Sequence, residues 1–331
     1  MSRTKAQSVI SEIESEQIAT ELTQLIDEIR VEIRGKRAQI ELSLIGAISE
    51  GHLLLEDVPG VGKTTLARAL SKALGGDFQR VQCTADLLPS DLTGVNIYHP
   101  GEGNFHFQEG PVFTHVLLAD ELNRATPKAQ SSLLEVMEER QVTADRETRA
   151  LPDPFWVIAT QNPLRFSGTF KLPESQLDRF ALSISLGYLN PKDESEVLLS
   201  NASEQKSISD RPLSQVKGQV ERLDRWRSLL NSRSKVQVSP DLVRYLVSCA
   251  DLTRHDQELK LGVSTRGALS WLKLCQARAL LLRRSYITPE DVQVLAIPAL
   301  AHRIWLKGTE QGKEAREDYI KRLLSRVPLP R

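Results

Sequence analysis

Cysteine is scarce in this chain of 331 residues: there are three, Cys83, Cys249 and Cys275, with no CxxC pair among them. Three scattered thiols cannot build a disulfide framework, so a reducing compartment and buried thiols are expected. Net charge is missing too, because 43 Lys and Arg balance 43 Asp and Glu. No global field therefore draws the chain toward nucleic acid or an anionic membrane, although a local basic patch stays open. No apolar run approaches membrane-spanning length, which argues against membrane insertion and for a cytoplasmic location. Glu12, Glu14 and Glu16 lie close behind the first apolar residues, a pattern unlike a signal or transit peptide. The six histidines lack metal-ligand spacing, and His99 and His106 read as loop residues. The chain does have 40% apolar residues, enough for a packed interior. Its length suggests a core domain with a smaller satellite.

The stretch from His52 to Leu66 reads as an apolar strand, a glycine-bearing turn and a helix opening at Lys63, the order that a phosphate-binding loop requires. Gly60 and Gly62 let backbone N–H groups approach an anion, since no Cβ blocks the positive φ or the contact. In that reading Pro59, Gly60, Val61, Gly62, Lys63, Thr64 and Thr65 surround the phosphates. Lys63 lies against the β- and γ-phosphates and the Thr64 hydroxyl holds Mg²⁺. One position departs from the usual pattern: its first glycine is Asp57 here. An ordinary strand–turn–helix corner with a chance Gly-Lys-Thr is the plainer alternative.

Ahead of the loop, Ile10, Ile13, Ile18, Leu22, Leu25, Ile26 and Ile29 have near-helical spacing. After Gly35-Lys36, a turn that is either near the adenine or a simple connector, Ile40 to Ile48 suggests a second helix stopping at Gly51. Behind the loop helix, Phe78 to Cys83 looks like a short strand, and 87–94 like a short helix with its end. Residues 95–110 read as an inserted hairpin or loop.

His115 to Glu121 is a buried-strand run ending in two acids. In a parallel sheet the C-terminal strand ends share an edge with the phosphate loop, so Asp120 can reach the Mg²⁺ shell and Glu121 can polarise an attacking water. On spacing alone the pair could equally cap the next helix, where acids are favourable; the loop upstream tips the balance. Phe155 to Pro163 is another apolar strand, ending in Gln161 and Asn162, whose carboxamides can hold a water or touch a γ-phosphate. Between these strands, 140–152 has the size of a hairpin. A short helix over 172–180 and alternating Leu182, Ile184 and Leu186 complete the pattern.

From about residue 190 the character changes. Residues 200–214 are polar and read as a linker, and the remainder of the chain reads as helical. Ser239-Pro240-Asp241 and Thr288-Pro289-Glu290-Asp291 start helices, and Ser264-Thr265-Arg266 opens another. Trp271 and Trp305 read as core aromatics of apolar helices. The pattern reads as strands alternating with helices up to about residue 190, with leading helices and an inserted stretch, and then an all-helical lid over 191–331.

Two segments then carry a resemblance. Gly110 to Val142, with Leu-Leu-Ala-Asp-Glu-Leu-Asn-Arg-Ala and Leu-Leu-Glu-Val-Met-Glu-Glu-Arg-Gln-Val-Thr, is closely similar to the MoxR family of AAA+ ATPases, as is Leu-Pro-Glu-Ser-Gln-Leu-Asp-Arg-Phe at 172–180. The resemblance spans roughly residues 30–300. It implies an α/β fold with a doubly wound parallel αβα core over 1–190, an insert near 94–110 that distinguishes this branch and a helical lid over 191–331, together with Mg²⁺-dependent ATP hydrolysis and a homo-oligomeric, hexameric or similar ring. It also implies that Arg179 is an arginine finger, Asn162 a first sensor and Arg266 a second sensor. Two departures accompany it. The second-sensor motif, usually Ser-Pro-Arg, is Ser264-Thr265-Arg266, and 164–171 differs from the usual acidic, glutamine-bearing connector. Plainer readings pair Arg179 with Asp178 or Glu174 on its own helix and leave Arg266 solvated. Arg124 is an intersubunit or structural candidate.

The resemblance favours an ATP-driven, chaperone-like remodeller that assists cofactor insertion or maturation of protein complexes, with a client protein and a von Willebrand factor A-domain protein as partners. A nucleic-acid motor is the second class, disfavoured by zero net charge and the lack of a recognisable DNA-binding module. A non-hydrolysing nucleotide switch is the third. Its expected mark, loss of the acid or the finger, is missing, since Glu121 and Arg179 are both present.

Overall fold

The computed structural model describes residues 9–162, 169–203, 214–308 and 312–330. Most of the expected linker over 200–214, and 164–168 of the departing connector, lie outside them.

Two helices lead, α1 (Glu12–Glu32) and α2 (Arg37–Ile48). The core then runs β1 (His52–Glu56), α3 (Lys63–Leu74), β2 (Phe78–Gln82), α4 (Pro89–Thr93), the hairpin β3 (Gly94–His99) and β4 (Asn104–Glu109), and β5 (Val116–Asp120). After a 3₁₀ turn at Leu122–Arg124 come α5 (Pro127–Glu139), a second hairpin of β6 (Gln141–Ala144) and β7 (Glu147–Ala150), then β8 (Trp156–Gln161), α6 (Glu174–Leu177) and β9 (Phe180–Ile184). Both expected hairpins are present.

The five-stranded sheet has the order β2-β5-β8-β1-β9, with every pairing parallel. A parallel sheet needs cover on both faces, so its strands read as continuous apolar runs. The period of two still sorts them: Leu53 and Leu55 join one core cluster, with α1, α2 and α3, while Leu54 joins the other, with α5. Helices are capped as their sequences suggest. Ser239 Oγ accepts from Leu242 N at 3.2 Å and Ser264 Oγ from Gly267 N at 2.9 Å.

Beyond the sheet lie α7 (Pro191–Ser203), α8 (Ser214–Arg233), α9 (Pro240–His255), β10 (Leu259–Leu261), α10 (Thr265–Leu281), α11 (Pro289–Leu300), β11 (Trp305–Leu306) and α12 (Lys313–Arg326). Among the described residues the lid is helical apart from one antiparallel pair, β10 with β11, and an isolated bridge between Gln237 and Tyr286. Trp271 is fully buried within α10, its Nε1 donating to Val292 O at 3.0 Å. Trp305 does not sit in a helix; it lies on β11, half-buried, with the Arg316 guanidinium 5.9 Å from its ring centre. Among the described residues no helix is long and apolar enough to cross a membrane.

Candidate nucleotide site

The C-terminal ends of β1, β5 and β8 converge on one edge of the sheet. Register places Glu56 beside Gln161 and Ala119 beside Ala159, which sets Asp120 next to Thr160. The loop leaving β1 crosses this edge. Gly60 and Gly62 have φ of +86° and +93°, and an added Cβ would meet nothing within 4 Å at either. The cradle is open, and both glycines occupy left-handed backbone that other residues resist. α3 starts at Gly62 with no side-chain cap, so its first N–H groups face the cradle as free donors.

Asp57 stands where a first glycine is usual, and the structure gives the reason. Its φ is not positive, so glycine freedom is not required there. Its buried carboxylate binds the chain leaving β9 instead: Oδ2 accepts from Leu186 N at 2.6 Å, Gly187 N at 2.8 Å and Ser185 Oγ at 3.0 Å, and Oδ1 from Val58 N at 3.1 Å. The aspartate is a strut under the loop.

Lys63 Nζ donates to Asp57 O at 2.8 Å and Val58 O at 3.1 Å, folding the ammonium across the loop's own carbonyls. Burial lowers its pKa, opposed by Asp57, Asp120 and Glu121. Thr64 is half-buried beside it and Thr65 is exposed.

Asp120 is held from both sides. Oδ1 accepts from Thr160 Oγ1 at 2.6 Å, and Oδ2 from Arg80 at 2.6 Å. Arg80 Nε also donates to Oδ2, at 3.2 Å, which fills that oxygen, so Oδ1 is the one that keeps a further lone pair among the described residues. Glu121 has left-handed backbone, φ +56°, with its N–H fixed on Thr160 Oγ1 at 2.8 Å. Strained backbone on a non-glycine residue at the tip of a core strand is the kind of outlier that marks a functional position. Gln82 Nε2, at 3.1 Å, and Arg124, at 2.8 Å, both donate to Oε2. Among the described residues Oε1 accepts nothing. The Asp-Glu pair is therefore more than a helix cap: the cap of α5 is Thr126, which accepts from Ala129 N at 3.3 Å. Asn162 comes directly after β8, and its carbonyl accepts from Asn123 Nδ2 at 3.3 Å. Cys83, next to these acids, is buried, and its thiol is pushed up to about 12 by burial and then by Asp120 and Glu121, so it is inert.

The donor set fits Mg²⁺ with a phosphate ligand. Among the described residues no three His, Cys, Asp or Glu are arranged to cage a metal. A hydroxyl at Thr64, one carboxylate at Asp120 and an open cradle suit a cation that takes its remaining ligands from phosphate and water.

Arg179 and Arg266 are elsewhere. Arg179 immediately precedes β9, whose first residue pairs with His52, the first of β1. It therefore lies at the N-terminal edge of the sheet, a five-residue strand, about 16 Å, from the phosphate loop. Its guanidinium donates to Leu134 O and pairs with Glu138 at 3.2 Å. Arg266, in the first turn of α10, pairs with the same Glu138. Neither plainer pairing is present: Asp178 goes instead to Arg303, at 3.1 Å, and Ser264, at 2.8 Å. Arg80, Gln82, Thr160 and Glu138 are the site residues that sequence reasoning misses. The polar positions 80 and 82, on either side of the one buried residue of β2, Val81, are the signal that could have pointed to Arg80 and Gln82.

The chain has known relatives in sequence and in fold. Residues 52–182 match the profile of the ATPase family associated with various cellular activities (AAA), and residues 251–322 that of the AAA lid domain. The chain is 36% identical over 319 residues to the chaperone MoxR1 of Mycobacterium tuberculosis, covering 93% of this chain and 82% of that one. It belongs to the MoxR-like family of AAA+ ATPases. An uncharacterised Bacillus subtilis protein, YeaC, is 43% identical over 298 residues, 89% of this chain and 91% of its own. The crystal structure of a proposed ATPase from Cytophaga hutchinsonii superimposes with a TM-score of 0.84 at 34% identity, over 97% and 98% of the two chains. The fold is accordingly AAA+, a parallel core sheet with a helical lid.

Proposed function

We propose that this MoxR-like protein hydrolyses ATP to ADP and phosphate as a subunit of a homo-oligomeric ring, hexameric or similar, and uses the cycle to remodel a client protein during complex maturation or cofactor insertion. The observation that carries the catalytic part is the convergence of an open glycine cradle, Lys63, Asp120 and Glu121 on one sheet edge. Lys63 and the free N–H groups of α3 bind and orient the phosphates. Thr64 and Asp120 would hold Mg²⁺, which would supply positive charge to the phosphates. Glu121, with Oε1 open, accepts the proton of the attacking water, and Asn162 orients that water or the γ-phosphate. Arg179 supplies charge to the transition state of a neighbouring subunit, since its own loop lies a strand's length away. The remodelling part draws support from the relative named as a chaperone. A von Willebrand factor A-domain partner belongs to the same reading.

Two substitutions test the active site. Lys63→Ala is expected to weaken ATP binding as well as turnover, because it removes charge that both states use. Glu121→Gln is expected to keep ATP bound and cut turnover by about 100-fold or more. Wild-type turnover in both variants, measured by phosphate release beside a nucleotide-binding titration, would refute the assignment.

A further inference from the structure

Glu138 uses both of its carboxylate oxygens on arginines from different parts of the molecule. Oε2 takes Arg179 at 3.2 Å, from the turn before β9, and Oε1 takes Arg266, from the lid helix α10. Arg179 lies along α5, its other terminal nitrogen on Leu134 O one turn before Glu138. Arg303 of the lid stands close enough for Arg266 to lower its pKa, and it reaches Asp178 and the carbonyls of Asp178 and Phe180. Three guanidiniums against the carboxylates of Asp178 and Glu138 leave this cluster one net positive charge. Without Glu138, Arg179 and Arg266 would repel, and the long exposed Arg266 side chain would swing away into water from the half-buried Arg179. With it, the span of one carboxylate fixes their spacing.

We propose that Glu138 is a positioning residue that holds Arg179 and Arg266 as one two-arginine unit for the polyphosphate of a neighbouring subunit, so that the lid, through Arg266, helps to set the geometry of the finger. This rests on the ring reading above. Glu138 touches no nucleotide itself. It acts through the two arginines, and a phosphate that carries more charge than one carboxylate can take over both as they arrive.

The test is a double-mutant cycle in steady-state ATP turnover on the full chain, at a concentration where assembly is complete by light scattering. Glu138→Ala is expected to lower kcat about tenfold or more with KM for ATP within about twofold, because nucleotide binding in the loop does not use it. In the Arg266→Ala background the same change should cost less than about twofold, since the unit is already broken. Glu138→Asp, which keeps the charge on a shorter arm, should recover part of the loss. A purely structural Glu138 would instead lower thermal stability and multiply with Arg266→Ala. Full multiplication, or wild-type kcat in Glu138→Ala, overturns the proposal while the finger stands. Wild-type turnover in Arg179→Ala overturns the finger reading and this proposal together.

Discussion

His52 shows how much one buried side chain can make of two backbone groups. Val157 N donates to its Nδ1 at 3.0 Å, and its Nε2 donates to Met137 O at 3.0 Å, so only the neutral ring with its proton on Nε2 satisfies both. Burial lowers its pKa to about 4, with Arg140 adding to the effect. The unfolded chain, titrating near 6.5, binds more protons between those values, so the stabilisation is complete above pH 6.5 and is lost as pH falls toward 4. The loss reaches about 3 kcal/mol. Urea midpoints measured from pH 7 to 4 should fall accordingly, and His52→Gln should flatten much of that slope; an unchanged slope would show that other groups carry it. His302, whose Nε2 donates to Phe180 O at 2.8 Å, is also pushed down by burial and adds to the slope. Nothing in the sequence marks His52 out, because its partners are 85 and 105 residues away. Separations of 39 to 128 residues hide Thr160, Arg80 and Glu138 in the same way, whereas Lys63, Thr64, Asp120 and Glu121 are legible because loop chemistry fixes their order within short windows. Asp57 is visible in the sequence only as a departure, and its reason lies 129 residues downstream.

At the scale of elements, the strands and most helices are legible because each buries a face whose period survives in sequence. β1, β5 and β8 are apolar runs, and α3, α5 and α9 carry their buried residues on one stripe. The β10–β11 pair is not, since three and two residues are too few to establish a period of two, and Trp305 reads as helical for that reason. Termini depend on single residues. α3 ends at Gly75, with φ +75°, where a Cβ would fall 2.4 Å from Gln219 O and 2.5 Å from Arg222 Cβ of α8. Gly75→Ala therefore strains the left-handed cap and forces α8 outward. A loss of about 2–4 kcal/mol in unfolding free energy is expected. A thermal midpoint within a degree of wild type would mean that α8 yields without cost.

The whole molecule separates its phosphate loop and Arg179 to opposite sheet edges, which makes turnover a property of an assembly in the proposed ring. Activity per subunit should rise with protein concentration. Mixing Arg179→Ala with Lys63→Ala subunits should restore part of the activity that each lacks alone, because some interfaces then join an intact loop to an intact finger. A co-assembled mixture as inactive as its parents, or full turnover by a monomer at nanomolar concentration, would count against a finger supplied in trans. The lid has a second consequence for how copies of the chain can meet. β9 is the last strand of the sheet, and His302 and Arg303 both donate to Phe180 O at 2.8 Å, with Arg303 also on Asp178 O at 3.1 Å. A bare strand edge is a template for indiscriminate pairing and aggregation. Side chains from beyond α11 already occupy the carbonyls at the start of this one, so a strand from another copy could not begin to pair there.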